Sequence, residues 1–509
     1  MTGRGDGARS AHHPLCLTDK LYQTQTVAMN YYVWIIGCQM NVADSERIAR
    51  TLNEHGHRPV ASPQDADLVL LTSCTVRQGA EDRLWGELGQ MGKLKKARPD
   101  LIVAVTGCVT DGNIEGFLKK APVVDLYVNP RRPEQLLEYL AERGLIDAPD
   151  FGDLQPQKLS AGGIAVERVS QAVSRYVPVI YGCDYRCTFC IVPYTRGQQS
   201  SRTPEEILEE ARWLLAEGAK ELVLLGQTVD AYGEDLEPRV RLSDLLYRLH
   251  DLPGLERLRF LTSHPNHMTP DLIEAVADLP KVCEHINLPF QAGDDEILRR
   301  MARRYKAAQY RDLIDRIKAR IPNVSLSTDV IVGFCGETEE QFERTLDMLR
   351  YCEFDVVHVA AYSPRKGTPS ARLWADNVPP AEKKRRLHAV EALQREIAAR
   401  RNAALDGAIV EVLVEGPSEK GAGASGQSPG GSNTTLGEAG ARAPALGAAS
   451  APAQRWGGRT RTNKLVFFDA PYDPTGQLVQ VLVTRTGPWF LEGELLTPAP
   501  KRRLLPVVA

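Results

Sequence analysis

From Tyr31 onward, short apolar runs alternate with longer stretches whose apolar residues recur at helical spacing. The runs at 31–37, 67–73, 101–107 and 125–129 predict strands, with a helix over 44–56 closed by Gly56. Strands alternating with helices predict a parallel sheet. A second series follows, with runs at 176–180, 221–226, 258–263, 285–290, 324–334 and 355–363. Between them, helices are expected to begin after Thr203-Pro204, where the threonine caps and the proline suits the first turn, at Thr269-Pro270 and at Thr338. Gly218 is expected to end the first of these. Six such units, not eight, predict a partial βα barrel open on one side. After Arg400 the period changes to two, over 407–416, 458–469, 477–486 and 489–496, as in a small antiparallel β-barrel.

The predicted class is therefore α/β. A parallel-sheet domain spans 30–148, a partial βα barrel 169–399 and a β-barrel 402–498. Aperiodic stretches separate them. Residues 1–29 form a leader expected to be disordered, and Met29, directly before the first strand, is an alternative start. Mass spectrometry of the native N-terminus would decide between Met1 and Met29. Residues 150–168 predict a linker, and the low-complexity stretch 418–453 an insert in the last domain, expected to be disordered.

Composition narrows the functional classes. A chain of 509 residues, 43% hydrophobic and 25% charged, accommodates about three domains. Its net charge of -3 gives no global basic excess, so nucleic-acid binding would need a local patch. Residues 454–509 hold eight Lys/Arg against four Asp/Glu, and Arg459, Arg461 and Lys464 beside Phe467 and Phe468 are the candidate patch. No apolar run is long enough to span a membrane, and the N-terminus lacks a signal-peptide core, so a cytoplasmic location is expected. The ten cysteines are then reduced and available to metals.

Six of them form two sets. Cys38, Cys74 and Cys108 each follow a predicted strand of the first sheet, at the edge where open α/β sheets bind ligands. Residues 34 and 36 apart would converge there on a shared metal site. Cys183, Cys187 and Cys190 lie together in "GCDYRCTFC", after the first strand of the partial barrel. A closed zinc site takes four ligands, and a 4Fe-4S cluster normally takes four cysteines. Three thiolates leave one iron open to a cofactor or substrate.

The C-x3-C-x2-C spacing with Phe189 before the last cysteine resembles the radical S-adenosylmethionine (SAM) enzymes. "GCQMNVADSE" (37–46), "SCTVRQGAEDR" (73–83), "GCV" (107–109), "LPFQAG" (288–293), "TDVIVGFCGETEEQFE" (328–343) and "YSPRKGTPSA" (362–371) resemble, in order, the methylthiotransferases of that superfamily. Cys-Gln-Met-Asn at 38–41 resembles their MiaB-type tRNA branch, since ribosomal-protein enzymes usually carry Pro-Lys-Asn after that cysteine.

The resemblance implies methylthiolation of carbon 2 of N6-isopentenyladenosine beside the tRNA anticodon. It implies SAM and two 4Fe-4S clusters, one on Cys183, Cys187 and Cys190, and an auxiliary one on Cys38, Cys74 and Cys108. It places SAM contact at Gly226 and Gln227, and makes the last domain an RNA-binding TRAM barrel. A flavodoxin- or ferredoxin-type electron donor and a sulfur or cluster supply system are implied partners. The alternatives are the same chemistry on a ribosomal protein, a radical SAM RNA methyltransferase, and a non-catalytic zinc-dependent RNA-binding protein. His264 and His267 are expected to serve the loop or pocket, and Cys283, Cys335 and Cys352 to pack. Arg196 is open between SAM or RNA contact and the surface. The insert departs from the family, and deleting 420–452 is expected to leave tRNA affinity largely intact in a binding assay, because long surface loops close at little cost.

Overall fold

A computed structural model describes residues 28–74, 78–109, 113–146, 172–418 and 454–496. The predicted leader up to residue 27, the linker 150–168 and residues 419–453 of the insert lie outside them.

The first body is a five-stranded, all-parallel sheet of order β2-β1-β3-β4-β5, with β1 Asn30–Ile35, β2 Arg58–Pro59, β3 Leu68–Cys74, β4 Ile102–Cys108 and β5 Leu126–Val128. β3 and β4 are buried at every position, as their unbroken apolar runs require in a sheet covered on both faces. β2 is too short to show a periodicity, which is why the sequence pattern misses it.

The second body carries six parallel strands in two hydrogen-bonded groups: β6 Ser174–Pro178, β9 Glu221–Leu225 and β10 Arg257–Leu261, then β11 His285–Asn287, β12 Ser325–Val332 and β13 Val356–Ala361. A bridge from Leu258 to Val282 joins the groups into one open arc. Two-residue strands β7 Ile180–Tyr181 and β8 Ser200–Ser201 close the cysteine loop at its base. The expected helix starts appear at Pro204, Pro270 and Glu339, and Thr203 and Thr338 each complete a capping box.

The C-terminal body is a closed five-stranded barrel of order β14-β15-β16-β18-β17, from β14 Ile409–Pro417, β15 Gln454–Thr460, β16 Leu465–Ala470, β17 Leu478–Thr486 and β18 Leu491–Leu495. The single strand expected over 458–469 is a hairpin instead. Asn463 turns it at φ 62°, a left-handed conformation that asparagine tolerates. β14 and β15 are antiparallel neighbours, with Pro417 opposite Trp456, so the insert leaves and re-enters the barrel at adjacent points.

Two seams place the bodies. The helix α1, Gln39–Glu54, buries Ile48, Ala49 and Leu52 in its own sheet's core and Met40 and Ala43 against Tyr181, Val223 and Leu225 of the second body. The start of α1 therefore stands at the C-terminal rim of β9. The barrel docks on the opposite, N-terminal rim. Arg257, the first residue of β10, donates from Nη1 to the Arg459 carbonyl (2.6 Å), and Arg259 donates to the carbonyls of Thr460 (2.7 Å) and Arg461 (2.6 Å).

This docking corrects the candidate RNA patch. Arg461 pairs with Glu284 at 2.6 Å, Lys464 with Asp355 at 2.6 Å and Arg459 with Glu415 at 3.2 Å. Phe468 lies in the barrel core. Arg461 and Lys464 hold the seam and Arg459 pairs within the barrel, so their local excess in the sequence reflects carboxylates supplied from elsewhere in the chain. Phe467 faces elsewhere, with the Arg455 guanidinium 5.0 Å from its ring centroid, beside Phe490 and the well-exposed Arg485.

Candidate functional site

Cys74 and Cys108 end the adjacent strands β3 and β4 and are register partners. Cys38 caps α1 three residues after β1. All three thus stand on one sheet edge, as expected from the sequence. Gly107 turns the chain just before Cys108 at φ 93°, and a Cβ there would sit 2.5 Å from the Ser73 carbonyl oxygen. Gly182 does the same before Cys183 at φ 70°, with a Cβ 2.1 Å from the Gln198 carbonyl oxygen.

The second trio follows β7. Cys187 is buried, and the amide of Cys190 donates to its carbonyl (3.0 Å). The Cys183 Sγ lies 3.4 Å from the Thr228 hydroxyl. Burial pushes the Cys190 thiol up to about 12, and the neighbouring Cys187 and Cys183 charges add to this. Burial also raises Cys183 and Cys108. Thiols in this state are poor nucleophiles, whereas a bound metal deprotonates them outright.

Each trio has a buried guanidinium on one sulfur. Arg303 Nη1 donates to Cys187 Sγ at 3.6 Å and Nη2 to the Pro289 carbonyl at 2.8 Å. Arg196 Nε donates to Cys108 Sγ at 2.9 Å and Nη2 to Asp44 Oδ2 at 2.7 Å. Burial alone would lower the Arg196 pKa, but Asp44, Cys108 and Cys38 hold it well above its ordinary value. The alternative of a surface Arg196 is thereby excluded: it is 8% exposed and belongs to the auxiliary trio's surroundings.

Asn41 completes that shell. It accepts from Cys38 Sγ (3.4 Å) and donates to the Ser73 carbonyl (2.6 Å), beside Cys74. Asn41, Asp44 and Ser45 are polar positions on the buried face of α1, and that mismatch with the helix's amphipathic pattern was the available sequence signal. Arg303 carried no comparable signal.

At the second trio's rim, Tyr185 stacks on His264 with centroids 3.9 Å apart, and its hydroxyl lies 2.9 Å from His267 Nε2. Both histidines thus pin the cysteine loop, in line with their expected supporting role. Burial lowers His264 to about 2, so it is neutral at physiological pH. A Cβ on Gly226 would lie 2.3 Å from Ile180 Cγ2, and Gln227 Oε1 is buried without a partner. An unsatisfied acceptor beside a tight glycine suits a ligand that brings a donor. Cys283, Cys335 and Cys352 are buried, and the last two pack in the main core.

Among the described residues, no three His, Cys, Asp or Glu side chains form a group that could hold a single metal ion. A 4Fe-4S cluster asks for something different, because its cysteines bond separate irons.

The Radical SAM superfamily model matches residues 177–349, and that of Uncharacterized protein family UPF0004 matches 30–129. A tRNA-2-methylthio-N(6)-dimethylallyladenosine synthase of Roseiflexus is 45% identical over 91% of this chain and 89% of its own. That of Herpetosiphon aurantiacus is 44% identical over 92% and 97%. The chain belongs to this synthase family. Like other members of the synthase family, it uses SAM and two 4Fe-4S clusters as cofactors. Among solved structures, the radical SAM methyltransferase TsrM of Kitasatospora setae aligns over 68% of this chain and 77% of its own, with TM-score 0.49 and 14% identity. Among the described residues, no helix is long and apolar enough to cross a membrane.

Proposed function

We propose that this chain adds a methylthio group to carbon 2 of N6-dimethylallyladenosine at tRNA position 37, beside the anticodon. The observation that carries the reading is the pair of cysteine trios, each with a buried arginine on one sulfur, linked through the Arg196 contact to Cys108. Cys183, Cys187 and Cys190 would hold the SAM-binding cluster, and Cys38, Cys74 and Cys108 the auxiliary one. When bound, these groups supply a 5′-deoxyadenosyl radical and the sulfur to be inserted, chemistry that an aromatic C–H refuses to ordinary nucleophiles.

The chain's own residues then orient and shield. Gly226 lets Ile180 and Val229 close in at the end of β9, and Gln227 beside it would offer its unpaired oxygen to the SAM amino group. Tyr185, His264 and His267 fix the cysteine loop. Helix α1 closes the seam between the bodies with Met40 and Ala43; Cys74 and Cys108 are buried, while Cys38 at its start stays exposed. The target base has to leave its stack to enter such a site. The natural division of labour follows the predicted domains 30–148, 169–399 and 402–498. A cytoplasmic location, a flavodoxin- or ferredoxin-type donor and a sulfur or cluster supply system fit this chemistry.

Nucleoside mass spectrometry of tRNA from a strain lacking the gene, with and without this chain restored, tests the reading. Restoration should convert N6-dimethylallyladenosine to its 2-methylthio form. Unchanged N6-dimethylallyladenosine, with methylthiolation of a ribosomal protein instead, would sink it.

The barrel face around Phe467, Phe490, Arg455 and Arg485 is the better candidate RNA contact: stacking rings and cations are adjacent there, and although Arg455 and Arg485 share the single carboxylate of Glu492, Arg485 remains well exposed. Arg485→Ala should weaken tRNA binding uniformly and reduce the salt slope by about 1, as loss of one phosphate contact does. Affinity titrations at several salt concentrations check this. An unchanged slope would move the contact off this face.

A further inference from the structure

Arg196 belongs to the segment that follows Cys190, yet its guanidinium lies inside the other trio's shell. It donates to Cys108 Sγ at 2.9 Å and to Asp44 at 2.7 Å, and it lies 3.5 Å from Asn41 Oδ1, the acceptor of the Cys38 thiol. Its backbone is held as firmly. Arg131, after β5, donates to the carbonyls of Arg196 (2.6 Å) and Gln198 (2.9 Å). The Gly197 carbonyl accepts from the amide of Cys183 at 3.2 Å. One four-residue step, from the Cys183 amide to the Cys108 sulfur, therefore ties the two sets together.

We propose that Arg196 is a positioning residue that places a fixed positive charge against the cluster on Cys38, Cys74 and Cys108, so that this cluster's reduction potential is set from the loop carrying the other trio. The proposal rests on the reading that this trio holds a cluster. Reduction adds one electron to the cluster, with no bond made or broken, and deepens its negative charge. A cation in contact with a ligand sulfur stabilises the reduced form more than the oxidised one, and burial limits solvent screening of that difference. Hydrogen bonds to ligand sulfurs act in the same direction. Asp44 offsets part of the charge, but it also fixes the fork so that Nε faces the sulfur. A plain structural cross-link would move stability and leave the potential alone.

The test is a dithionite titration, followed by electron paramagnetic resonance, of the full chain carrying Cys183→Ala, Cys187→Ala and Cys190→Ala. This protein should keep only the auxiliary cluster, about four irons. Adding Arg196→Gln should make its midpoint more negative by at least a tenfold change in the reduced-to-oxidised ratio, about 59 mV for one electron. Arg196→Lys, which keeps the charge, should stay closer to the parent. Iron retained with an unmoved midpoint in Arg196→Gln overturns the proposal alone. A lysine variant as negative as the glutamine one overturns the role of charge. A parent without iron overturns the ligand assignment and this proposal with it.

Discussion

Replacing Cys38, Cys74 and Cys108 together by alanine is expected to lower iron from about eight to about four per chain after anaerobic reconstitution. SAM cleavage should persist and methylthiolation should cease. The two activities separate because the trios lie on different bodies, one ending β3 and β4 and capping α1, the other in the loop after β7. The fold should survive the change. Cys38 is exposed, alanine fills most of the space of the buried Cys74 and Cys108, and the pair of Arg196 with Asp44 keeps the seam closed. Iron and acid-labile sulfide analysis, with assay of 5′-deoxyadenosine, reads both parts. Four irons in both proteins would remove the auxiliary cluster and leave a simpler radical SAM enzyme.

Arg259→Leu is expected to cost about 3–5 kcal/mol, the range for leaving one member of a buried ion pair uncompensated. Arg259 and Glu221 are almost fully buried and pair at 2.6 Å, and the same guanidinium satisfies the carbonyls of Thr460 and Arg461. Leucine matches the chain's apolar stem but strands the carboxylate and two carbonyls. Burial would raise the Glu221 pKa, but Arg259 and Ser174 reverse this and hold it below its ordinary value. A carboxylate lowered in the folded state contributes stability above its unfolded pKa, near 4.3, and loses it as pH falls through the folded value. In the variant the sign reverses, because burial is left to dominate. The deficit should therefore be full at neutral pH, begin to narrow as pH falls through the variant's raised Glu221 value, above about 4.3, and go on narrowing through the lowered value of the unsubstituted protein. Chemical denaturation at several pH values, with hydrogen exchange at the β15–β16 hairpin, measures it. A deficit that stays constant with pH would show that lost packing, not the stranded carboxylate, sets the cost.

Much of this molecule was legible in the chain alone. Ten of its strands announced themselves as apolar runs, and turn and cap residues marked helix starts at Pro204, Pro270 and Glu339. The cysteines were legible for a stronger reason: three thiols in eight residues, and three more each at or just past the end of a strand, are patterns that local geometry alone places at a sheet edge. The two-residue strands and the Asn463 turn escaped because they are shorter than any period.

What the chain could not disclose was which distant groups meet. Arg459, Arg461 and Lys464 look like a basic patch until Glu415, Glu284 and Asp355 arrive from other strands to neutralise them. Arg196 is open between ligand contact and the surface until α1 brings Asp44, and the sheet edge brings Cys108, onto it. Backbone periodicity is written in neighbouring residues, so sequence determines it. The partner of a long charged side chain is chosen by contacts tens to nearly two hundred residues away, and only the packing of strands and bodies decides that.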